Sequence, residues 1–257
     1  MHPILNIAIR AIRKGGNFIA QNYDKNNIFG KSIETKKYLK NIQNISFNII
    51  SEVILKVYPN DLILKNTLYN NFKTEKKKKW IINTLDGKIN FLHKIPHFCI
   101  SIVIIENNVK KISVIYDPIK NDLFTAIKGK GAQLNGYRIR CSTHNIFLHS
   151  IIHIYFLNSK ENFTKKNFFL FQKFFKKENY IRQTGCLSLD LAYLASGKFD
   201  FFVGFNIKLS NFIAGELQIL ESGALINNFF ENSNDIFKKN ILAGNNNFLR
   251  LILQKIF

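Results

Sequence analysis

Cysteine, proline and long apolar runs are all scarce in this sequence. The three cysteines, Cys99, Cys141 and Cys186, are too few and too scattered for a disulfide framework or a zinc site, which favours a reduced compartment. No apolar run approaches the length of a membrane span, and the first residues lack the charged and apolar regions of a signal peptide. We therefore expect a cytoplasmic protein that has no membrane partner.

Acidic residues are also scarce, because 17 Asp and Glu residues stand against 37 Lys and Arg residues and leave a formal net charge of +20. Such a charge attracts polyanions, RNA included. The alternative is genome composition: Lys, Asn, Ile and Phe are abundant and only four prolines occur, as in proteins of AT-rich, reduced genomes. We expect genome bias to explain more of the charge than selection for nucleic-acid binding does.

What the sequence does contain is enough apolar material for a sizeable core, built as one large or two intimate domains. Apolar periodicity predicts helices over residues 1–23 and 42–57, with a polar loop or hairpin over 24–40 between them. The lysine run at 76–79 is typical of a solvated loop. Further helices are expected at 163–177 and 248–256. Strands are expected at 63–64, 80–82, 98–105, 111–116, 123–127, 151–156, 201–203 and 241–245.

The stretch W-I-I-N-T-L-D-G-K-I-N-F at residues 80–91 carries the strongest chemical signal. Its apolar start predicts a buried strand, residues 83–87 a turn, and Lys88 the start of a helix. A helix start offers free N–H groups to an anion, and a carboxylate such as Asp86 beside it can hold Mg²⁺ against a phosphate.

The same stretch resembles the signature W-x-[IV]-D-P-[LI]-D-G-[ST]-x-N-F of the inositol monophosphatase family. Residues 129–136, G-K-G-A-Q-L-N-G, resemble a hairpin of that family, and residues 182–200 and 206–223 resemble two further motifs. The opening M-H-P-I-L-N-I-A-I-R is similar to the bacterial SuhB branch. The resemblance covers nearly the whole chain and implies an α+β fold, the layered α/β/α/β/α sandwich of that family. We expect two subdomains, residues 1–147 with the degenerate metal and phosphate motif and residues 148–257.

The family's metal and phosphate residues can be carried over to this sequence position by position. The metal positions are Asn66, Asn83, Leu85 (through its carbonyl), Asp86 and Asn211. The substrate and phosphate positions are Leu85, Asp86, Gly87, Lys88, Arg182, Gly185 and Asn211. Positions that assist a further metal fall on Lys37 and Gln43. The family would use Mg²⁺ here, but three of the four side-chain ligands are neutral amides, whose attraction to a dication is far weaker.

Lys88 stands where the family has a threonine that helps to orient the attacking water. We expect its ammonium group to pair with Asp86 in place of the missing ion, the alternative being that Lys88 points outward. No residue is assigned a catalytic role.

Resemblance to the SuhB branch implies a Nus factor that works with NusA and RNA polymerase in ribosomal RNA antitermination, as a homodimer and in contact with RNA. That role needs a surface and not a metal site. The alternative is a Mg²⁺-dependent inositol-1-phosphate phosphatase with a weakened site, and a third reading is a decaying gene product.

Overall fold

The structure is a computed structural model that describes residues 2–25, 33–66, 78–146, 148–156, 172, 179–228 and 238–256. These ranges contain the helices α1 (Pro3–Lys25), α2 (Ile33–Leu55), α3 (Lys88–Leu92), α4 (Leu187–Ala195), α5 (Leu209–Glu221) and α6 (Asn246–Ile256). A first sheet holds β1 (Leu62–Lys65), β2 (Lys78–Asp86), β3 (Cys99–Glu106), β4 (Val109–Asp117), β5 (Asp122–Ile127), β6 (Gly131–Leu134) and β7 (Tyr137–Ile139). A second sheet holds β8 (Ile151–Phe156), β9 (Tyr180–Arg182), β10 (Phe201–Lys208), β11 (Leu225–Asn228) and β12 (Lys238–Gly244). The helix expected at 163–177 lies outside the described residues.

Helix α1 confirms the amphipathic helix predicted at the N-terminus. Ala8, Ala11, Ile12 and Ile19 are fully buried along one face and pack with residues of α2 and of the first sheet. Arg10, Lys14 and Lys25 are exposed, as an amphipathic surface helix requires, whereas Arg13 is half-buried over the ring of Tyr116.

Helix α2 begins at Ile33, so the prediction of a loop or hairpin was wrong for residues 33–40. Thr35 is buried, and Tyr38 and Leu39 pack against the core that α1 also covers. With Ile42 these positions follow the three-to-four spacing of a helix face. The charged residues between them hid this spacing in the sequence.

The first sheet has the order β1-β2-β3-β4-β5-β6-β7, with β1 and β2 parallel and every other pair antiparallel. Strand β2 confirms the predicted buried strand but runs on to Asp86, so the turn expected over 83–87 is confined to Gly87. The lysine run is not wholly a loop, because Lys78 and Lys79 belong to β2. Lys78 lies over the ring of Tyr58, 4.7 Å from its centroid.

Both faces of the first sheet are covered. Along β3, the side chains of Ile100, Ile102 and Ile104 pack with α1 and α2, whereas Cys99, Val103 and Ile105 pack with α4 and α5. This period of two is that of a strand between two layers, and it accounts for the nearly continuous apolar sequence of β3.

Helices α4 and α5 form a layer between the two sheets. Both helices contact strands of the first sheet, and both contact β10 of the second. They approach each other closely at Gly215, where an added Cβ would lie 2.3 Å from the Cβ of Leu191. Any larger residue at position 215 would therefore push these helices apart.

The second sheet has the order β11-β12-β10-β8-β9, and α6 covers its outer face through Phe248, Leu249 and Ile252. The layers therefore alternate as helices, sheet, helices, sheet and helix, which confirms the α+β layered sandwich expected from the sequence. None of the described helices combines the length and apolar character that a membrane crossing requires.

Candidate functional site

The residues carried over from the family signature converge on one cavity of about 710 Å³. Its lining comes from α2, the ends of β1, β2 and β8, the start of α3, the loop before α4, and the first turn of α5. The lining residues are Lys40, Gln43, Asn44, Lys65, Asn66, Ile82, Asn83, Thr84, Leu85, Asp86, Gly87, Lys88, Ile89, Tyr155, Gly185 and Asn211. Nine of the eleven positions carried over from the family are thus neighbours in space.

The turn from β2 into α3 depends on Gly87. Its φ angle of 82° lies in the left-handed region, and an added Cβ would lie 2.8 Å from the carbonyl oxygen of His97. The Gly87 N–H donates to Asp86 Oδ1 at 3.0 Å, and the Gly87 carbonyl accepts from the N–H of Phe91 at 2.9 Å. These bonds hold the strand end and the helix start in one fixed arrangement.

Both carboxylate oxygens of Asp86 already accept hydrogen bonds from the backbone. Besides the Gly87 bond, Oδ2 accepts from the N–H of Ser188 at the start of α4, at 2.8 Å. Burial raises the pKa of Asp86 above its ordinary value, and the nearby Asp190 carboxylate raises it further, although the Ser188 and Gly87 bonds oppose the shift. Asp86 therefore joins β2 to α4 as well as lining the cavity.

The expected pairing of Lys88 with Asp86 is wrong in this structure. Lys88 is exposed, and no ion pair joins it to Asp86 or to any other described carboxylate. The backbone N–H groups of Gly87 and Ser188 meet the carboxylate instead. Lys88 still borders the cavity, so its ammonium group adds positive charge to the cavity wall.

The three amides at the family's ligand positions come from three elements. Asn66 follows β1 and Asn83 lies in β2, and these two parallel strands pair Lys65 with Ile82, one residue earlier on each strand. Asn211 lies in the first turn of α5 and lines the cavity together with Tyr155. Burial raises the pKa of Tyr155 to about 12, so the phenol stays protonated.

Lysines contribute more charge to the cavity than carboxylates do. Lys65 is half-buried and donates from Nζ to Asn44 Oδ1 at 2.7 Å, whereas Lys40 and Lys88 are exposed. Among the described lining residues Asp86 is the one carboxylate, so three ammonium groups and one carboxylate give a formal charge of +2. Lys40 was missed in the sequence because the predicted helix began only at residue 42, and Asn44 lies inside that helix but was not assigned to the site. On α2 both residues share a face with Gln43 by i, i+3 and i+4 spacing.

Arg182 does not line the cavity. It lies in β9, is exposed, and donates from Nη1 to the carbonyl oxygen of Ile181. Lys37 is likewise exposed on α2 outside the lining, while Gln43 belongs to it. The positions taken over from the family therefore divide into a converging set and these two outlying residues.

Asn90 binds the first half of the chain to the second beside the cavity. Its side-chain nitrogen donates to the carbonyl oxygen of His97 at 2.7 Å and to that of Thr184 at 2.8 Å. Gly185 lies against the Asn90 side chain, so the loop before α4 is held at the edge of the cavity.

Two cysteines that are far apart in the sequence meet behind Asp86. The Sγ atoms of Cys99 and Cys186 lie 3.6 Å apart, and both cysteines are free and fully buried. Burial raises the pKa of Cys99 to about 11 and raises that of Cys186 well above its ordinary value. A carboxylate oxygen of Asp86 lies with these sulfurs in a group whose ligand atoms are all within 4.8 Å of one another. Sequence spacing gave no signal of this contact.

A buried carboxylate, Asp190, supports the same region from α4. His97 Nε2 lies 3.0 Å from Oδ1, and His153 Nε2 lies 3.1 Å from Oδ2, although the His153 ring nitrogens make no well-directed hydrogen bond. Burial lowers the pKa of His153, whose ring stacks on Phe199 and Phe202. This cluster joins β8 to α4 and to the loop before β3.

The fold and the motif-bearing cavity define a class, that of the inositol monophosphatase fold. A sequence model of the inositol monophosphatase family matches residues 1–256, and the chain belongs to that family.

Curated relatives of the chain include members of one branch of the family, the SuhB proteins. The chain is 50% identical over 265 residues to the Nus factor SuhB of Buchnera aphidicola subsp. Schizaphis graminum, with 100% of this chain and 97% of that protein covered. It is 35% identical over 254 residues to the Nus factor SuhB of Escherichia coli K12, with 98% and 95% covered.

Solved structures agree with this relationship. The extragenic suppressor protein SuhB of Bartonella henselae superposes with a TM-score of 0.78 at 28% identity, covering 99% of each chain. An IMPase of Thermotoga maritima superposes with a TM-score of 0.80 at 26% identity, covering 99% of this chain and 97% of that one. The chain is therefore similar to SuhB proteins over its full length.

Proposed function

We propose that this protein is a Nus factor of the SuhB type, a binding protein that acts with NusA and RNA polymerase in ribosomal RNA antitermination. The observation that carries the proposal is full-length similarity, at 35% to 50% identity, to relatives named Nus factor SuhB. Such a role is carried out in the cytoplasm, and it depends on a binding surface on the outside of the protein and not on a metal site. RNA is proposed as a further contact, favoured by the net charge of +20, and a homodimer as the working form.

We further propose that the cavity holds no Mg²⁺ tightly. Mg²⁺ prefers charged oxygen ligands in near-octahedral geometry. Asn66, Asn83 and Asn211 are neutral, and both oxygens of Asp86 are engaged by backbone N–H groups. The lysines that line the cavity add repulsion towards a dication. The residues present therefore do not fit the ion that the family uses, although the Leu85 carbonyl is kept.

A phosphatase is the second candidate, because Asp86, Gly87 and Gly185 still line a cavity in a member of this family. Its test is hydrolysis of inositol-1-phosphate in Mg²⁺, beside an intact family member at equal concentration. We expect negligible turnover, since a catalytic unit that has lost several members does not retain a proportional share of activity. Turnover near that of the intact enzyme would favour the phosphatase.

The binding role is tested by capturing NusA with the purified protein in EDTA. We expect association that withstands moderate salt and is the same with Mg²⁺ present. A control bait of similar basic charge measures how much capture the charge alone produces. Loss of capture at modest salt, or equal capture by the control bait, would contradict the proposal.

A further inference from the structure

We propose that the cavity beside Asp86 is an oxyanion site that works without a metal ion, and that its ligand is a small phosphate-class anion held by lysine and amide side chains. The inference goes beyond the NusA-binding role and rests on the composition of the cavity. It follows from the mismatch between this cavity and Mg²⁺.

The first argument is charge. With Lys40, Lys65 and Lys88 against Asp86, the formal charge of the lining is +2. A site built for Mg²⁺ needs the opposite sign before the ion arrives, because hard dications are held by carboxylate oxygens. Here the positive charge belongs to the chain itself, and it attracts an anion directly.

The second argument is hydrogen bonding. A carboxylate accepts hydrogen bonds only, whereas a carboxamide also has two N–H donors. Asn66, Asn83 and Asn211 therefore bring donors to positions where the family has acceptors, and the side chain of Tyr155 lines the same cavity. Asn66 and Asn83 both line the cavity, so they bring carboxamide groups to its wall.

The third argument is that the negative charge of the one carboxylate is already met by backbone donors. Both carboxylate oxygens of Asp86 accept hydrogen bonds, from the N–H groups of Gly87 and Ser188. Its repulsion of an incoming anion is therefore reduced. Lys65 is half-buried and held by Asn44, so its ammonium group is positioned without a carboxylate partner among the described residues.

The size of the cavity suits a small ligand. About 710 Å³ falls within the range of roughly 300–1,000 Å³ that small-molecule sites occupy. Phosphate could arrive as the free ion or as the phosphate group of a monoester. The two sources share the oxyanion that the lysines and amides recognise.

The experiment titrates inorganic phosphate into the full-length protein by calorimetry, in EDTA and at constant ionic strength. We expect saturable binding that weakens about tenfold in Lys65→Gln and in Lys88→Thr, as for the loss of a charge-assisted hydrogen bond. Lys111→Gln is the matched control, because it removes one exposed positive charge outside the cavity. It should bind phosphate as the wild type does.

A second variant reverses the sign of the cavity. Asn66→Glu, Asn83→Asp and Asn211→Asp together should abolish phosphate binding in EDTA and restore it when Mg²⁺ is added. Circular dichroism checks that this variant folds, and the single lysine variants test the proposal if it does not. Inositol monophosphate, titrated in parallel, should also bind, and the ratio of the two affinities identifies the preferred source.

Three outcomes would overturn the proposal: no phosphate binding to the wild type in EDTA, an equal loss in Lys111→Gln, or binding that requires Mg²⁺. The second outcome would mean that the net charge of the whole protein, and not the cavity, attracts phosphate. None of these outcomes bears on NusA capture, so the two proposals fail separately.

Discussion

At the residue scale, Asp86 makes the stability of this protein depend on pH in an unusual direction. Its pKa is raised in the folded state, so the folded chain holds the proton more tightly than the unfolded chain does. Stability contributed by this group is therefore present at low pH and is lost as pH rises from the ordinary carboxyl pKa through the raised one. A typical paired carboxylate behaves in the opposite way.

We predict that the free energy of unfolding of the wild type falls relative to that of Asp86→Asn as pH rises through that window. Urea unfolding at several pH values between about 4 and 8 measures the difference between the two proteins, which cancels the contributions of other groups. A difference that stays flat, or that grows in favour of the wild type, would contradict the raised pKa.

Asn90 offers a second prediction at this scale. Asn90→Ala leaves the carbonyl oxygens of His97 and Thr184 without their donor, and we expect a loss of about 2 kcal/mol or more in the free energy of unfolding. Asn90→Asp should be no better, since it replaces the donor with an acceptor. Asn6→Ala is the control, because Asn6 is exposed on α1 and its replacement should change the urea midpoint little.

Residue patterns predicted the site only in part. The signature at 80–91 pointed to Asp86 and Gly87, which both line the cavity, because those residues are neighbours along the chain and their spacing is set by one strand and one turn. The engagement of Asp86 by Ser188 could not be predicted, because the two residues are 102 positions apart and only the packing of α4 against the first sheet joins them. The predicted pairing of Lys88 with Asp86 was wrong because backbone N–H groups, one of them from Ser188, already bind this carboxylate.

At the scale of elements, the meeting of β3 with the start of α4 buries the Cys99 and Cys186 thiols together. With the pKa of Cys99 raised to about 11, about one thiol in a thousand is ionised at pH 8, and the thiolate is the reactive form. Cys141 is only half-buried. We predict that iodoacetamide at pH 8 alkylates Cys141 well before the other two in the folded protein.

Mass spectrometry of the alkylated peptides measures the three rates. Denaturation in urea is the control, since all three cysteines should then react at similar rates. Labelling of Cys99 or Cys186 as fast as Cys141 in the folded protein would mean that β3 and α4 separate readily.

The helices show which element boundaries could not be predicted from the sequence. The apolar spacing of α1 is uninterrupted and was predicted almost to the residue. Half of residues 33–40 are charged, and Thr35, Tyr38 and Leu39 face the core, so the pattern is recognisable only once the partner surface is known. This error also removed Lys40 from the predicted site.

At the scale of the whole molecule, stability should not depend on Mg²⁺. An ion that binds the folded chain alone adds RT ln(1 + [L]/Kd), about 2.7 kcal/mol at 100 times Kd, and each kcal/mol raises the Tm of a protein this size by roughly 2–4 °C. We predict no rise in Tm in millimolar Mg²⁺ beyond that in NaCl of equal ionic strength. A Mg²⁺-specific rise that Asp86→Asn abolishes would show that the amides still form a metal site.

The layered architecture was predictable as a whole because several motifs, spread from residue 80 to residue 223, all matched one family. The division into residues 1–147 and 148–257 remains a proposal. It is supported by the chain order of the strands, since β1–β7 form one sheet and β8–β12 the other. The helices between the sheets pack against both, so we expect neither part to fold stably alone.

The helical layer between the two sheets also determines when the first sheet can be covered during synthesis of the protein. The last strand of the first sheet ends at Ile139, but α5, which covers one face of that sheet, ends only at Glu221. Roughly 80 residues must be added in between, which at about 5–20 residues per second takes on the order of 4–16 seconds. During that interval the apolar face formed by Val103, Ile115 and Phe124 lacks the cover that α5 later provides, so we expect the nascent chain to be prone to aggregation until α5 has been made.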